Sequence, residues 1–110
     1  MRSYAIRSLS SADRDFDIIV DHYVQEASFD TAVRFVHALD AAYVVLAAAP
    51  EAGSPIVGGA LGIPDLRTWT LRGFPYLICY APVGHEVVVW RILHTRRDLA
   101  QAFADTAFPN

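Results

Sequence analysis

His94-Thr95-Arg96-Arg97-Asp98 is the densest run of chemistry-capable side chains in the sequence, and it follows directly on the apolar stretch Glu86 to Leu93. An imidazole beside two guanidiniums, with Arg67 and Arg72 as further cations, can hold a phosphate but supplies only one proton-transfer group. All nine basic side chains are arginine, so lysine-based nucleophilic or Schiff-base chemistry is excluded. His22, His37, His85 and His94 show no metal-ligand spacing and fall on different elements. Asp13, Asp15 and Asp17 carry the oxygens a hard cation prefers, but a helix points them to different faces. The lone Cys79 allows neither an intrachain disulfide nor a cysteine metal cluster, and strand filler is its plain role. We therefore expect no metal and no cofactor.

One glycine-rich stretch needs the same scrutiny. Pro50 to Asp65 holds Pro50, Gly53, Pro55, Gly58, Gly59, Gly62 and Pro64, but no Lys-Ser/Thr pair follows and the next element reads as a strand. A phosphate-cradling loop needs both that pair and a helix, so this segment is expected to be an irregular loop.

The elements that must position these groups come next. A chain of 110 residues makes one domain, 1–110, and 54% hydrophobic residues leave apolar surface available for a partner. Its longest apolar run, Ala41 to Ala49, is too short for a bilayer span, and the N-terminus lacks a signal-peptide apolar core, so a cytoplasmic protein is expected.

Ser3 to Leu9 alternates as a short strand, and Ser10 or Ser11 offers an N-cap. Phe16, Ile19, Tyr23 and Ala27, joined by Val20 and Val24, then form the apolar face of a first helix. Asp13, Asp17 and Asp21 recur every four residues on another face, where solvent screens them or a basic partner meets them. Ser28 or Asp30 caps a second helix whose Ala32, Phe35, Leu39, Ala42 and Leu46 share a face, ending before Pro50. The spacing predicts an antiparallel helix hairpin.

Leu66 to Arg72, Phe74 to Ala81 and Glu86 to Leu93 read as an antiparallel meander, with His85 at a hairpin tip. Period two puts Val88, Trp90 and Ile92 on one side of the last strand and Val87, Val89, Arg91 and Leu93 on the other. Both faces are largely apolar. The helix hairpin can cover only one of them, so apart from a possible C-terminal turn or helix after Asp98 the other is expected to stay open for a protein partner. Arg91 interrupts an apolar face, and burying it requires a carboxylate or backbone partner.

Charge divides the chain. Leu9 to Glu51 sets two arginines against eight carboxylates, whereas Leu66 to Arg97 sets five arginines against one. That basic half is thin for sequence-independent nucleic-acid binding, which depends on many phosphate contacts.

Gly73-Phe74-Pro75-Tyr76, the Tyr76-x-Ile78-x-Tyr80 alternation and Ile92-Leu93-His94-Thr95-Arg96-Arg97-Asp98, in this order of elements, resemble the ParE-type toxins of the RelE/ParE toxin-antitoxin superfamily. Ala32, Phe35, Leu39, Leu46, Pro50 and Gly53 also sit where that family has similar residues. The resemblance implies an α+β fold, β-α-α-β-β-β, with the helix hairpin packed on one face of a small, mainly antiparallel sheet. It further implies a toxin neutralised by a co-expressed ParD-like antitoxin in a hetero-oligomer, with DNA gyrase as target and the DNA-binding part left to the antitoxin. RelE-type relatives instead cleave mRNA with clustered basic residues, often with a C-terminal Tyr. Here Leu99 to Asn110 contains no Tyr, His, Lys or Arg, which favours the gyrase-directed, non-enzymatic branch. On that reading His94, Arg96 and Arg97 meet the target, unless they are merely solvated or paired with Asp98. Val87, Val89, Arg91, Leu93 and Tyr23 would meet the antitoxin. A toxin that has lost its action and survives as an antitoxin-binding module is the remaining reading.

Overall fold

The computed structural model describes residues 3–104. Strand β1 (Ala5–Ser8) leads into helix α1 (Ser10–Glu26), which packs antiparallel to α2 (Phe29–Ala48). A short helix α3 (Ile56–Leu61) precedes three strands, β2 (Arg67–Thr70), β3 (Tyr76–Val83) and β4 (Glu86–His94), and a final helix α4 (Leu99–Ala104) follows them. The sheet order is β1-β4-β3-β2, with β1 parallel to β4 and the other pairs antiparallel. This is the expected α+β order with two short helices added.

Helix α2 forms as its spacing requires. Ser28 Oγ accepts from the Thr31 amide at 3.1 Å, capping the N-terminus, and the buried residues are Ala32, Phe35, Leu39, Ala42 and Leu46. Although α2 has the length and apolar content of a membrane span, that face closes on α1 and the sheet. Helix α1 differs at its start: Leu9 is the N-cap and no side chain caps it. Ser11 instead donates to the Trp90 carbonyl at 2.7 Å, fastening the helix to β4.

The β3–β4 turn is tighter than the sequence suggests, because the strands run on to Val83 and from Glu86. Gly84, at φ +61°, takes the first of two turn positions, as a type II′ hairpin demands. His85 is at the tip. Within Pro50 to Asp65, α3 corrects the expectation of an irregular loop. Gly62 closes this single turn-and-a-half in a left-handed conformation, the stop signal that glycine supplies most readily. Ser54 pairs with Thr68 through two backbone bonds, 2.9 and 3.0 Å, lying along the outer edge of β2.

The second correction lies in β4. Its register against β3 moves from Cys79–Arg91 to Tyr80–Val89, which leaves Trp90 as an extra residue in a bulge. Strict period two therefore fails between Trp90 and Arg91. Val87, Val89 and Ile92 face the helix hairpin, in a core with Phe35, Leu39, Leu46, Ile78 and Tyr80. Val88, Trp90 and Leu93 face the other way, in a second core with Leu66, Cys79, Ala102 and Phe103. That second face is not open, since α4 and the α3 segment cover it.

Candidate functional site

Three chain segments meet at the end of the sheet where β4 stops. Tyr76 opens β3 directly opposite His94, and the two rings meet edge to face at 5.3 Å. The Thr95 amide donates to the Pro75 carbonyl at 2.9 Å, tying the β4 exit to the β2–β3 turn that carries Arg72 and Gly73. Gly73 sits at φ +83°, a conformation other residues adopt at a cost. Beyond β4 the backbone folds back on the histidine. The Arg96 amide donates to His94 Nδ1 at 3.1 Å, and the Arg97 amide to the His94 carbonyl at 2.9 Å. His94 is half-buried, whereas Arg72, Arg96 and Arg97 are exposed.

Asp98 does not pair with these arginines. Its Oδ1 accepts the Gln101 amide at 3.2 Å and its carbonyl the Ala102 amide at 3.1 Å, so it caps α4. Behind His94 and Tyr76 stands an aromatic cluster. Tyr23 and Phe35 from the helix hairpin meet Phe74 at 5.6 and 5.5 Å and Tyr76 at 6.3 and 5.8 Å. Burial, with the Tyr76 hydroxyl adding to it, pushes the Tyr23 hydroxyl above its ordinary range. The cluster fixes the turn relative to α1 and α2.

The residues assigned from sequence to antitoxin contact fall elsewhere than expected. Val87 and Val89 are wholly buried beneath the hairpin, and Leu93 lies under α4, so none offers a free surface. The physical reason is the bulge together with α4, which the alternation of β4 alone does not reveal. Arg91 sits at that bulge, and its carboxylate comes from its own chain. Asp15 of α1 takes Nε at 2.7 Å and Nη2 at 2.9 Å, while Nη1 reaches the Ala102 carbonyl at 3.3 Å. Of the five assigned residues, Tyr23 and Arg91 alone retain partial exposure.

An apolar groove remains on the outer side of the helix hairpin. Val20 and Val24 of α1 and Phe29, Val33, Val36 and His37 of α2 line a hollow of about 250 Å³. Phe29 keeps 71% of its surface exposed. The sequence places Val20 and Val24 on the apolar face of α1; Val20 packs against the core as well as lining the hollow, whereas Val24 stays 45% exposed. His22 is on α1, His37 on α2 and His85 in the β3–β4 turn, whereas His94 ends β4.

Known proteins bear on this geometry in two ways. The family model of the ParE toxin of the type II toxin-antitoxin system parDE matches residues 6–99, a span that includes the hairpin, the sheet and the His94–Asp98 turn. Among solved structures, one titled "Chromosomal ParDE TA system from P. aeruginosa" is similar at a TM-score of 0.69 and 26% identity. The similarity covers 84% of this chain and 96% of that one. No curated protein matches the chain.

Proposed function

Since the chain belongs to the ParE toxin family of parDE type II systems, we propose that it inhibits DNA gyrase by binding it, without catalysing a reaction of its own. The reading is carried by the family match over residues 6–99, which runs through the exposed turn of His94, Arg96 and Arg97. That turn has the character of a contact surface. It holds one imidazole, whose Nδ1 already accepts the Arg96 amide, so a single ring nitrogen is left for proton transfer. Hydrolysis or transesterification of a phosphodiester asks for a base, an acid and charge stabilisation together.

A ParD-like antitoxin holds the toxin inactive in a cytoplasmic hetero-oligomer. With Val87, Val89 and Leu93 inside the cores, the surface it finds is the outer groove of the helix hairpin, where an amphipathic helix can lay its apolar side. The test is a supercoiling assay with purified protein and gyrase, run beside in vitro translation, each repeated with the product of the neighbouring gene. Inhibited supercoiling that the neighbour's product reverses supports the reading. Blocked translation with intact supercoiling would move the protein to the mRNA-cleaving branch.

A further inference from the structure

The described arginines differ in whether their guanidinium groups find partners. Arg91 is held by Asp15, Arg7 by Glu86 at 3.2 Å, Arg67 by the Glu51 and Gly53 carbonyls, and Arg34 by Thr31 Oγ1. Arg14, Arg72, Arg96 and Arg97 have no side-chain hydrogen bond or ion pair among the described residues. Three of those four sit at one end of the sheet, on two turns joined by the Thr95–Pro75 bond. The nearest carboxylate in sequence, Asp98, is engaged in capping α4. Among the described residues no carboxylate forms an ion pair with these three arginines, and their charge of +3 exceeds that of the adjoining Asp98.

The backbone that carries these groups is already ordered. Gly73 fixes one turn, the His94 ring and carbonyl hold the Arg96 and Arg97 amides, and Tyr76 braces the ring. Little of the turn needs to be ordered on contact, and this reduces the entropic cost of binding. Guanidinium forks suit planar anions, and both carboxylates and phosphates qualify. The overall charge separates the two. The chain carries a net −3, and Asp13, Asp17 and Asp21 line an exposed face of α1, a field that opposes approach to a nucleic acid's continuous negative charge. A local acidic patch on a protein presents its negative charge over a small area, where a nucleic acid presents it continuously along its length.

We propose that Arg72, Arg96 and Arg97 form one preorganised cationic surface that docks on a carboxylate-rich patch of the target protein. This rests on the gyrase reading for the identity of the target, and it adds Arg72 and the chemistry of the partner. Contact of this kind acts mainly on the association rate and falls with salt.

The experiment measures binding of the full chain to immobilised gyrase at 50, 150 and 400 mM KCl, comparing R72E, R96E, R97E and, as a charge-matched control on α1, R14E. Retention of each variant by the neighbouring gene's product reports folding independently of the target. The expected result is a loss of at least tenfold for R96E and R97E, several-fold for R72E, little change for R14E, and weaker wild-type binding as salt rises. Wild-type binding by all three variants would overturn the proposal. If wild-type protein does not bind gyrase, the gyrase reading fails, and retention on poly-L-glutamate decides the surface chemistry. Retention lost in R72E, R96E and R97E but kept in R14E sustains the proposal, and equal behaviour of all forms defeats it. Tighter capture by a 20-base-pair DNA duplex than by poly-L-glutamate also defeats it, assigning the arginines to phosphate.

Discussion

Arg91 and Asp15 meet as a two-pronged ion pair, and Asp15 Oδ2 also takes the Ile92 amide at 2.9 Å. One carboxylate thus satisfies a guanidinium and a backbone donor at the bulge where β4 changes register. The two side chains are only 12% and 11% exposed.

Removing the arginine should therefore cost most on the carboxylate side. Arg91→Met is expected to destabilise the protein by about 3 kcal/mol, more than replacing both groups with apolar residues, because it takes the counter-ion from the mostly buried Asp15 carboxylate. Denaturant midpoints of Arg91→Met and of the double variant Asp15→Leu/Arg91→Met test the ordering. An equal loss in both would count against it.

Stability should decline in alkali. Burial pushes the Cys79 thiol up from its ordinary 9.0 to about 12, with Arg91 pulling it down and Asp15 raising it further. The unfolded thiol ionises first, so the unfolded chain binds fewer protons and ΔG falls as pH rises. This contribution is fully present below about pH 9 and is lost as pH climbs towards about 12. Burial also raises the Tyr43 hydroxyl, helped by Asp13 and Asp40, and acts in the same direction. Chemical denaturation between pH 8 and pH 11 should show the decline, and Cys79→Ala should flatten it. At pH 8 a thiol reagent should label the native protein only as fast as it opens.

Helix α4 is expected to act as a lid on the second core. Phe103, 5% exposed, covers the face that bears Val88, Trp90 and Leu93, so Phe103→Ala should cost about 3 kcal/mol and shift the Trp90 emission to longer wavelength. Asp98→Ala removes the cap of this helix and should cost about 1 kcal/mol. An unchanged emission spectrum in Phe103→Ala would mean the lid does not shield the tryptophan.

Gly53 is required by a close approach. A Cβ there would lie 2.5 Å from Tyr80 Oη and 2.9 Å from the Thr68 carbonyl. The Tyr80 hydroxyl accepts the Gly53 amide and donates to the Pro50 carbonyl, both at 2.8 Å. Gly53→Ala should destabilise by about 1–3 kcal/mol through overpacking. Tyr80→Phe should cost about 2 kcal/mol by stranding those backbone groups. Thermal melts of the two variants and their combination should show less than additive losses.

What the sequence made legible follows from how local each signal is. All five buried residues of α2 could be read directly and its cap narrowed to Ser28 or Asp30, of which Ser28 does the capping, because helix periodicity and capping depend on neighbours a few residues away. The exposed His94–Arg97 turn was legible for the same reason. The bulge at Trp90 was not, since it is a property of two strands in register, and one missed residue moved Ile92 and Leu93 to opposite faces. Helix α3 was hidden by Gly58 and Gly59, whose helix propensity is poor, and it forms where Val57, Leu61 and Ile63 pack under the sheet. Asp98 carried a readable cap signal before Leu99-Ala100-Gln101-Ala102, but its place in a basic turn drew attention to its charge.

The bridge between Ser54 and Thr68 bears on how open the margins of the sheet are to a strand from another molecule. It places a neighbour beside β2, so the Thr68 amide and carbonyl at the middle of that edge are already bonded when a strand from another molecule arrives. The opposite margin of the sheet, β1, is only four residues long. An intruding strand finds a blocked row on one side and a short one on the other, and ribbon-like growth from this sheet is discouraged at both margins.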